Sequence, residues 1–442
     1  MSMENIEHDF LHKNIVLVGL GLQGGAVGVA QFLSSIVSSC TISDLRKESE
    51  LMPSVKALSG LKNIRFEFGM HSPKTFLSAD CIIIGPSVHW DMPQLVEARK
   101  KGIPVMSEME LFFKYNSLPV IGVTGTRGKT TTTTLIYEML KKDKKIVHLG
   151  GNIPGSSTLP LLKEENGIVL LELSSWQLSG LHRIKKSPHI AVFTNFFPDH
   201  LNFYTSMEAY LFDKQAIYAY QNAKDHLVCN ESLRNIIEKK APQSHVHYFS
   251  QNTFLEKIAL LGTHNRENVA AAYVVGKIMD MSKQAFSVLR SFTGVSFRLE
   301  KIATIGGVDV YNDTTSTTPI AGIRALQALS GQYKRVVLIA GGNSKNLPIE
   351  EWVNTVNMHA SAILCLEGTF TDAVLPLLDT NKLLVHQPVG NLKSIVASAL
   401  KDAHPGDAVL FSPSATSFAT FKNEFDRGEQ FNNVVREYSG RL

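Results

Sequence analysis

The 442-residue chain predicts an α/β fold of three domains, each built on a mainly parallel sheet. Three observations predict it. Short, almost wholly apolar runs such as "NIVLV", "IVLLE" and "RVVLIAGG" alternate with helical stretches, as expected of strands buried on both faces. Two of these strands run directly into glycine-rich turns that open helices. The alternation then restarts after residue 115 and again after residue 293, giving expected domains of 1–115, 116–293 and 294–442.

The first unit begins with "NIVLVGLGLQGGAVGVAQFL", read as strand, turn and helix, followed by the strand "CTISDLR". Gly19, Gly21 and Gly24 have the G-x-G-x-x-G spacing of a Rossmann-like phosphate turn. Alone, that spacing fits a dinucleotide, and it also fits a tight turn with no ligand. The strand "CIIIGPSV", the helix "PQLVEARKKG" and an expected strand "IPVMSEMELF" complete the unit before a linker, "KYNSLP". In the second unit "PVIGVTG" leads to the helix "TTTTLIYEMLKK" and to the strands "KIVHLGG", "GIVLLELSS", "HIAVFTNF" and "HLVCN". The helix "NRENVAAAYVVGKIM" and one more close it. The third unit, again Rossmann-like, has "VDVYND", the helix "TPIAGIRALQAL", the strands "RVVLIAGG", "AILCLEG" and "AVLFSP", and a helical C-terminus.

Composition excludes several function classes. Net charge is +4, and the longest basic cluster, "KKDKK" at 141–145, falls where a helix should end, so a nucleic-acid partner is not expected. Cys40, Cys81, Cys229 and Cys365 form no C-x-x-C pair, which argues against a zinc site or a disulfide framework. The charged N-terminus lacks the apolar core of a signal peptide, and no apolar run is long enough for a membrane span. A cytoplasmic monomer with reduced thiols is the expectation.

The stretch "VTGTRGKTTT" (123–132) carries the chemistry. A usual P-loop has glycine where Val123 stands, but the Gly-Lys-Thr core lies between strand and helix as phosphate binding requires. Amide groups at the helix start favour a phosphate, Lys129 can neutralise its charge, and the Thr130 hydroxyl can ligate Mg²⁺. A plain glycine turn before a Thr-rich helix is the alternative. Glu172 ends an apolar strand, as does the carboxylate that holds a nucleotide's Mg²⁺ beside a P-loop. His200 follows another strand in "FPDHLNFY"; imidazole can ligate a metal, although a lone histidine is more often structural. By composition alone, Lys214 in "MEAYLFDKQAIY" is an exposed helix lysine.

These pieces occur together and in order in one family. The chain resembles the Mur ligases, most closely the glutamate-adding MurD type. The carrying motifs are "GTRGKTTTT" (125–133), "GGNIPG" (150–155), "LELSSWQL" (171–178), "FPDHLNFY…MEAYLFDK" (197–214), "HNRENVAAA" (264–272), "YNDTTSTTP" (311–319), "GGNSKN" (341–346) and "FSPSATSFATFKNEFDRGEQF" (411–431). The resemblance spans essentially the whole chain. It implies a P-loop-type central ATPase domain that phosphorylates the carboxylate of UDP-N-acetylmuramoyl-L-alanine, so that the amine of glutamate can displace phosphate. ATP and two Mg²⁺ are implied. Gly125, Thr126, Arg127, Gly128, Lys129, Thr130 and Thr131 would bind ATP, with Asn265 and Asn268 at the adenine side and Arg298 and Asp313 as nucleotide contacts. Lys129, Glu172, His200 and Lys214 would be the catalytic set. Thr130, Glu172, His200 and Lys214 would ligate metal, Lys214 as a carbamate. Leu22, Gln23, Asp44 and Arg46 would hold the uridine, and Asn152 would contact substrate. Ser174 and Gln177 would lie near the phosphoryl path, with Lys345, Ser417 and Phe425 around the incoming glutamate.

Departures from the family pattern gather at that last pocket. Thr315 replaces a usual lysine, Phe297 a usual histidine, and "KNEF" a usual "KNFE", so the bordering aromatic is either displaced to Phe425 or replaced by Glu424. D-Glutamate is the expected acceptor, with L-glutamate or another amino acid as the alternative. A folylpolyglutamate-type ligase would not need the first domain, an oxidoreductase would leave the GKT loop idle, and a catalytically dead homologue would not need Lys129, Glu172, His200 and Lys214 intact.

Overall fold

The computed structural model describes residues 2–22, 24–153, 155–201, 203–388, 391–417 and 421–439. Three sheets form. The first has the order β3-β2-β1-β4-β5, from β1 (Asn14–Val18), β2 (Ser39–Asp44), β3 (Ile64–Phe68), β4 (Cys81–Ile84) and β5 (Val105–Ser107). The second has the order β11-β10-β9-β6-β8-β7, from β6 (Val120–Thr124), β7 (Val147–Gly151), β8 (Ile168–Glu172), β9 (Ile190–Phe193), β10 (His226–Asn230) and β11 (His245–Phe249). The third has the order β12-β13-β17-β14-β15-β16, from β12 (Glu300–Ile305), β13 (Val308–Asn312), β14 (Val336–Gly341), β15 (Ala362–Leu366), β16 (Leu384–Val385) and β17 (Ala408–Phe411). All pairings are parallel except β12 with β13. Residues 1–253 and 268–289 form one compact unit containing the first two sheets; residues 254–267 and 290–442 form a second unit around the third.

Period-two alternation explains why the strands are continuously apolar. Ile15, Leu17, Cys81 and Ile83 enter one core while Val16, Val18, Ile82 and Ile84 enter the other. In the third sheet Leu338, Ala340 and Leu410 pack in one core, and Val337, Ile339 and Val409 in the other. The four cysteines are free and buried, and among the described residues no helix is long and apolar enough to cross a membrane.

Two expectations need correction. "IPVMSEMELF" is not one strand: β5 stops at Ser107, which caps the helix Glu108–Tyr115. Ser107 Oγ accepts from Glu110 N at 3.2 Å and Glu110 Oε2 accepts from Ser107 N at 2.7 Å, a reciprocal cap that outweighs strand propensity. The third sheet also starts one strand earlier than expected, with the edge strand β12 hairpinned onto β13.

The buried Glu108 stitches the helix Glu108–Tyr115 to the loop after β7. Its Oε1 accepts from Thr158 N and Thr158 Oγ1, both at 2.6 Å, and from Ser157 Oγ at 3.0 Å. Arg183 pairs with Glu110 at 3.1 Å. The first two sheets are therefore tied together by hydrogen-bonded carboxylates.

Candidate active site

The phosphate loop leaves β6 between the ends of β8 and β9, because β6 lies between those strands. The chain after β9 shapes it. Asn195 O accepts from Thr126 N at 3.0 Å, Asn195 Oδ1 from Arg127 N at 2.8 Å, and Thr194 Oγ1 donates to Arg127 O at 2.6 Å. Gly128 caps the helix Lys129–Lys142 with φ 79°, and a Cβ there would collide with the Asn268 amide. Only glycine fits. The helix start has no side-chain cap and no acid in its first turn, which keeps its positive end suited to an anion. Lys129 Nζ folds back to donate to Gly125 O at 3.1 Å and Thr126 O at 3.3 Å. Thr130 and the buried Thr131 follow in the first turn of this helix.

Lys214 departs furthest from its compositional reading. It lies on the helix Met207–Gln215, which Ser206 caps, and only 1% of it is exposed. Its Nζ donates to Gly125 O at 2.9 Å, the carbonyl that Lys129 also uses. Burial, and then the Lys129 and Arg127 cations, hold its pKa well below the usual lysine range against the pull of Asp199 and Asp213. Asp213 is itself pushed up to about 6 by burial. The result is a buried lysine whose amine is shifted toward its neutral form beneath the loop.

Glu172 ends β8 with 2% exposure. Its Oε1 accepts from Asn152 Nδ2 at 3.1 Å, but its buried Oε2 has no hydrogen-bond partner among the described residues. A buried carboxylate oxygen without a donor is costly, and a divalent cation would satisfy it. Among the described residues no three His, Cys, Asp or Glu side chains converge on one point, so substrate oxygens and further protein oxygens would have to complete such a site. Ser174 and Gln177 share a reciprocal cap at the start of the helix Ser175–Ser179.

His200 has a left-handed backbone, φ 56°. Beside it, Asp199 is 2% exposed; it accepts from His200 N at 2.9 Å and pairs with Arg127 at 3.4 Å. Asp199 thus joins the loop arginine to the His200 turn. Sequence reading passed over it, although its place beside His200 was visible.

In the first sheet Asp44 ends β2 and gathers the glycine turn. Its Oδ2 accepts from Leu20 N at 2.9 Å, and Arg46 binds the carboxylate through Nε at 3.2 Å and Nη2 at 2.9 Å. Burial raises its pKa, but the Arg46 and backbone hydrogen bonds prevail and hold it below the usual range. Leu22 stands 42% exposed on the turn, and Gln23 lies outside the described residues.

The second unit holds the remaining expected residues except Asn268. Asp313 accepts from Leu299 N at 3.0 Å and Ser412 Oγ at 2.8 Å, one residue from Arg298. Lys345 Nζ donates to Thr317 Oγ1 at 3.4 Å, Ser417 has a buried hydroxyl without a hydrogen-bond partner among the described residues, and Phe425 meets Phe297 edge-on at 6.2 Å. Asn265 Nδ2 donates to Leu261 O at 2.7 Å, whereas Asn268, assigned to the first unit, meets Thr132 beside the phosphate loop. Arg427, which sequence reading assigned no role, is fully buried; it donates to Thr314 O at 2.7 Å and Ala415 O at 3.2 Å, bracing the segments that carry Asp313 and Ser417.

Burial pushes the Asp313 carboxyl up from 3.8 to about 7, despite its hydrogen bonds. The folded chain therefore keeps a proton at pH 5 that the unfolded chain has released. Stability from this group is complete below about pH 4 and is lost as pH rises through about 7, by on the order of 4 kcal/mol. Asp313→Asn cannot ionise, so its melting temperature relative to the parent should rise between pH 5 and pH 8. Equal differences at both pH values would contradict this.

Three family models match the chain: the MurD-like N-terminal domain over residues 13–107, the Mur ligase middle domain over 123–259, and the Mur ligase glutamate ligase domain over 297–415. The chain belongs to the Mur ligase family. Two relatives support the same placement for this Mur ligase. A UDP-N-acetylmuramoylalanine–D-glutamate ligase of Roseiflexus sp. (strain RS-1) is 34% identical over 97% of this chain and 99% of its own. A ligase of the same name from Borreliella afzelii (strain PKo) is 32% identical over 96% and 97%. Among solved structures, the UDP-N-acetylmuramate–alanine ligase MurC of Thermotoga maritima superposes with TM-score 0.66 at 19% identity, covering 98% of this chain and 100% of that one. MurF of the same organism, solved with ADP, gives 0.61 at 18%, covering 99% and 97%. At those identities the structures speak for the three-sheet fold.

Proposed function

We propose that this Mur ligase joins D-glutamate to UDP-N-acetylmuramoyl-L-alanine, driven by ATP, in cytoplasmic peptidoglycan precursor synthesis, acting as a monomer. The γ-phosphoryl group passes to the alanine carboxylate, giving ADP and an acyl phosphate. The amine of glutamate attacks the activated carbonyl, and the tetrahedral adduct expels phosphate to leave an amide. Phosphate is a far better leaving group than carboxylate oxygen, which is why the phosphate loop is needed. The working domains are 1–115, 116–293 and 294–442, each holding one sheet.

The observation that carries this reading is the shared Gly125 carbonyl: Lys129 and the buried Lys214 meet there, on the loop set between β8, which ends in Glu172, and β9, which is followed by the turn of His200. The loop amides and Lys129 hold the terminal phosphates of ATP, and Lys129 balances charge as the phosphoryl group moves. Lys214, its pKa lowered by burial, can add its amine in the neutral form to CO₂; the N–C bond forms, a proton is released, and an anionic carbamate oxygen results. Glu172 with Thr130, and His200 with the Lys214 carbamate, would hold two Mg²⁺, which supply charge neutralisation between the phosphate and the acceptor carboxylate. Asn152 orients Glu172. Asp44 and Arg46 bind the uridine end, together with Leu22 and Gln23. Lys345 and Ser417 hold the glutamate carboxylates, with Phe425 at their border.

ADP release in a coupled assay with UDP-N-acetylmuramoyl-L-alanine tests the acceptor. D-Glutamate should support turnover and L-glutamate should be at least roughly a hundredfold poorer, as expected when a site's polar groups are left unpaired. Equal rates, or turnover only with another amino acid, would overturn the assignment.

A further inference from the structure

The loop after β4, which carries "GPS" at 85–87, is keyed to the glycine turn of the first sheet. Gly85 N donates to Val18 O at 2.8 Å, and Gly85 packs so tightly that a Cβ would sit 3.2 Å from Gly19 O. A Cβ added to Gly19 would in turn sit 3.2 Å from Val88 Cγ2. The next residue, His89, reaches across to the central sheet. Its ring stacks on Phe203 with centroids 4.0 Å apart and planes at 19°.

Phe203 belongs to the turn that carries His200. Phe203 N and Tyr204 N both donate to His200 O at 2.9 Å. Trp176 fills the angle between the two rings, 5.3 Å from Phe203 and 4.8 Å from His200. His200 itself sits in a left-handed conformation that a residue with a side chain adopts only when its surroundings impose it. The rings supplied by Phe203, Trp176 and Tyr210 are part of those surroundings, together with the Asp199 carboxylate that accepts from His200 N, and the outer ring of the stack comes from the first domain.

We infer that His89 is a positioning residue: through Phe203 and Trp176 it fixes the imidazole of His200, and so carries the placement of the sugar-nucleotide turn to the cation-binding edge of the central sheet. It works as a flat ring, not as an acid or base, so phenylalanine should replace it and alanine should not. The neighbouring Trp90 is a separate strut, its indole N–H donating to Ser179 Oγ at 3.2 Å, and stays in place in either variant.

The test compares the parent, His89→Ala and His89→Phe. Mn²⁺ binding to the ATP-loaded protein is measured by electron paramagnetic resonance, alongside kcat and KM for ATP and for the sugar nucleotide. Alanine should weaken Mn²⁺ binding about 5- to 10-fold and lower kcat about as much, with the sugar-nucleotide KM within twofold and an unshifted melting temperature. Phenylalanine should restore both. Unchanged Mn²⁺ binding in His89→Ala, or a loss that phenylalanine does not restore, would overturn the inference. The inference rests on His200 being a cation ligand, as proposed above. A parent protein that binds Mn²⁺ through His200 but never ligates glutamate would sink the proposed activity and leave the role of His89 standing.

Discussion

Lys129→Ala should release no orthophosphate above background, a loss of at least about a thousandfold or roughly 4 kcal/mol of transition-state stabilisation. The phosphoryl group carries its charge on oxygens that the loop amides alone cannot balance. In the structure the ammonium folds onto Gly125 O and Thr126 O, so removing it exposes loop carbonyls and leaves the fold's core untouched. The melting temperature should therefore move little while turnover disappears. Measurement of phosphate release with saturating ATP and sugar nucleotide decides it: a variant retaining a tenth of parental turnover would mean that Lys129 does not face the transferred group.

Lys214→Ala should be nearly as damaging, for a different reason. The side chain is buried against Gly125 O with its pKa lowered by burial, a poor setting for a cation and a good one for carbamylation. Alanine removes both the amine and the anionic oxygens it would carry, and turnover should fall by roughly a hundred- to ten-thousandfold. It also leaves a cavity of the right lining for a small anion. Formate or acetate added to the assay should recover part of the activity, saturably, while leaving the parent unaffected. Full activity without additive, or no recovery with any short carboxylate, would remove Lys214 from the role of carbamate.

The sequence made the three sheets legible because both faces of most strands are covered, so that each strand appears as an unbroken apolar run. It failed where that condition lapses. Strands β3, β11 and β12 are partly exposed and mixed in character, and went unread. The run "MELFF" fits strand or helix equally well, and the deciding signal was the Ser107–Glu110 cap rather than the apolar pattern. In the site, the phosphate loop was readable from spacing and its strand–helix setting. Lys214 was not: nothing local distinguishes a lysine buried under a loop 89 residues earlier from one on a solvated helix. Only the family resemblance singled it out. Arg427 was missed for the same reason, since an arginine in a charged helical segment is ordinarily solvated and only the packing of "YNDTT" against the last helix buries it. Asp199 was overlooked because attention went to the imidazole beside it.

Activation of the acceptor carboxylate by phosphorylation is the step on which this account depends, and trapping the activated acyl group tests it most directly. The protein is incubated with ATP, Mg²⁺, UDP-N-acetylmuramoyl-L-alanine and hydroxylamine, without glutamate, and the sugar nucleotide is analysed by mass spectrometry. The account predicts an alanyl hydroxamate that forms in step with ADP and phosphate and is absent with Lys129→Ala. Amide formation from glutamate with no hydroxamate, and no phosphate release dependent on the sugar nucleotide, would contradict it.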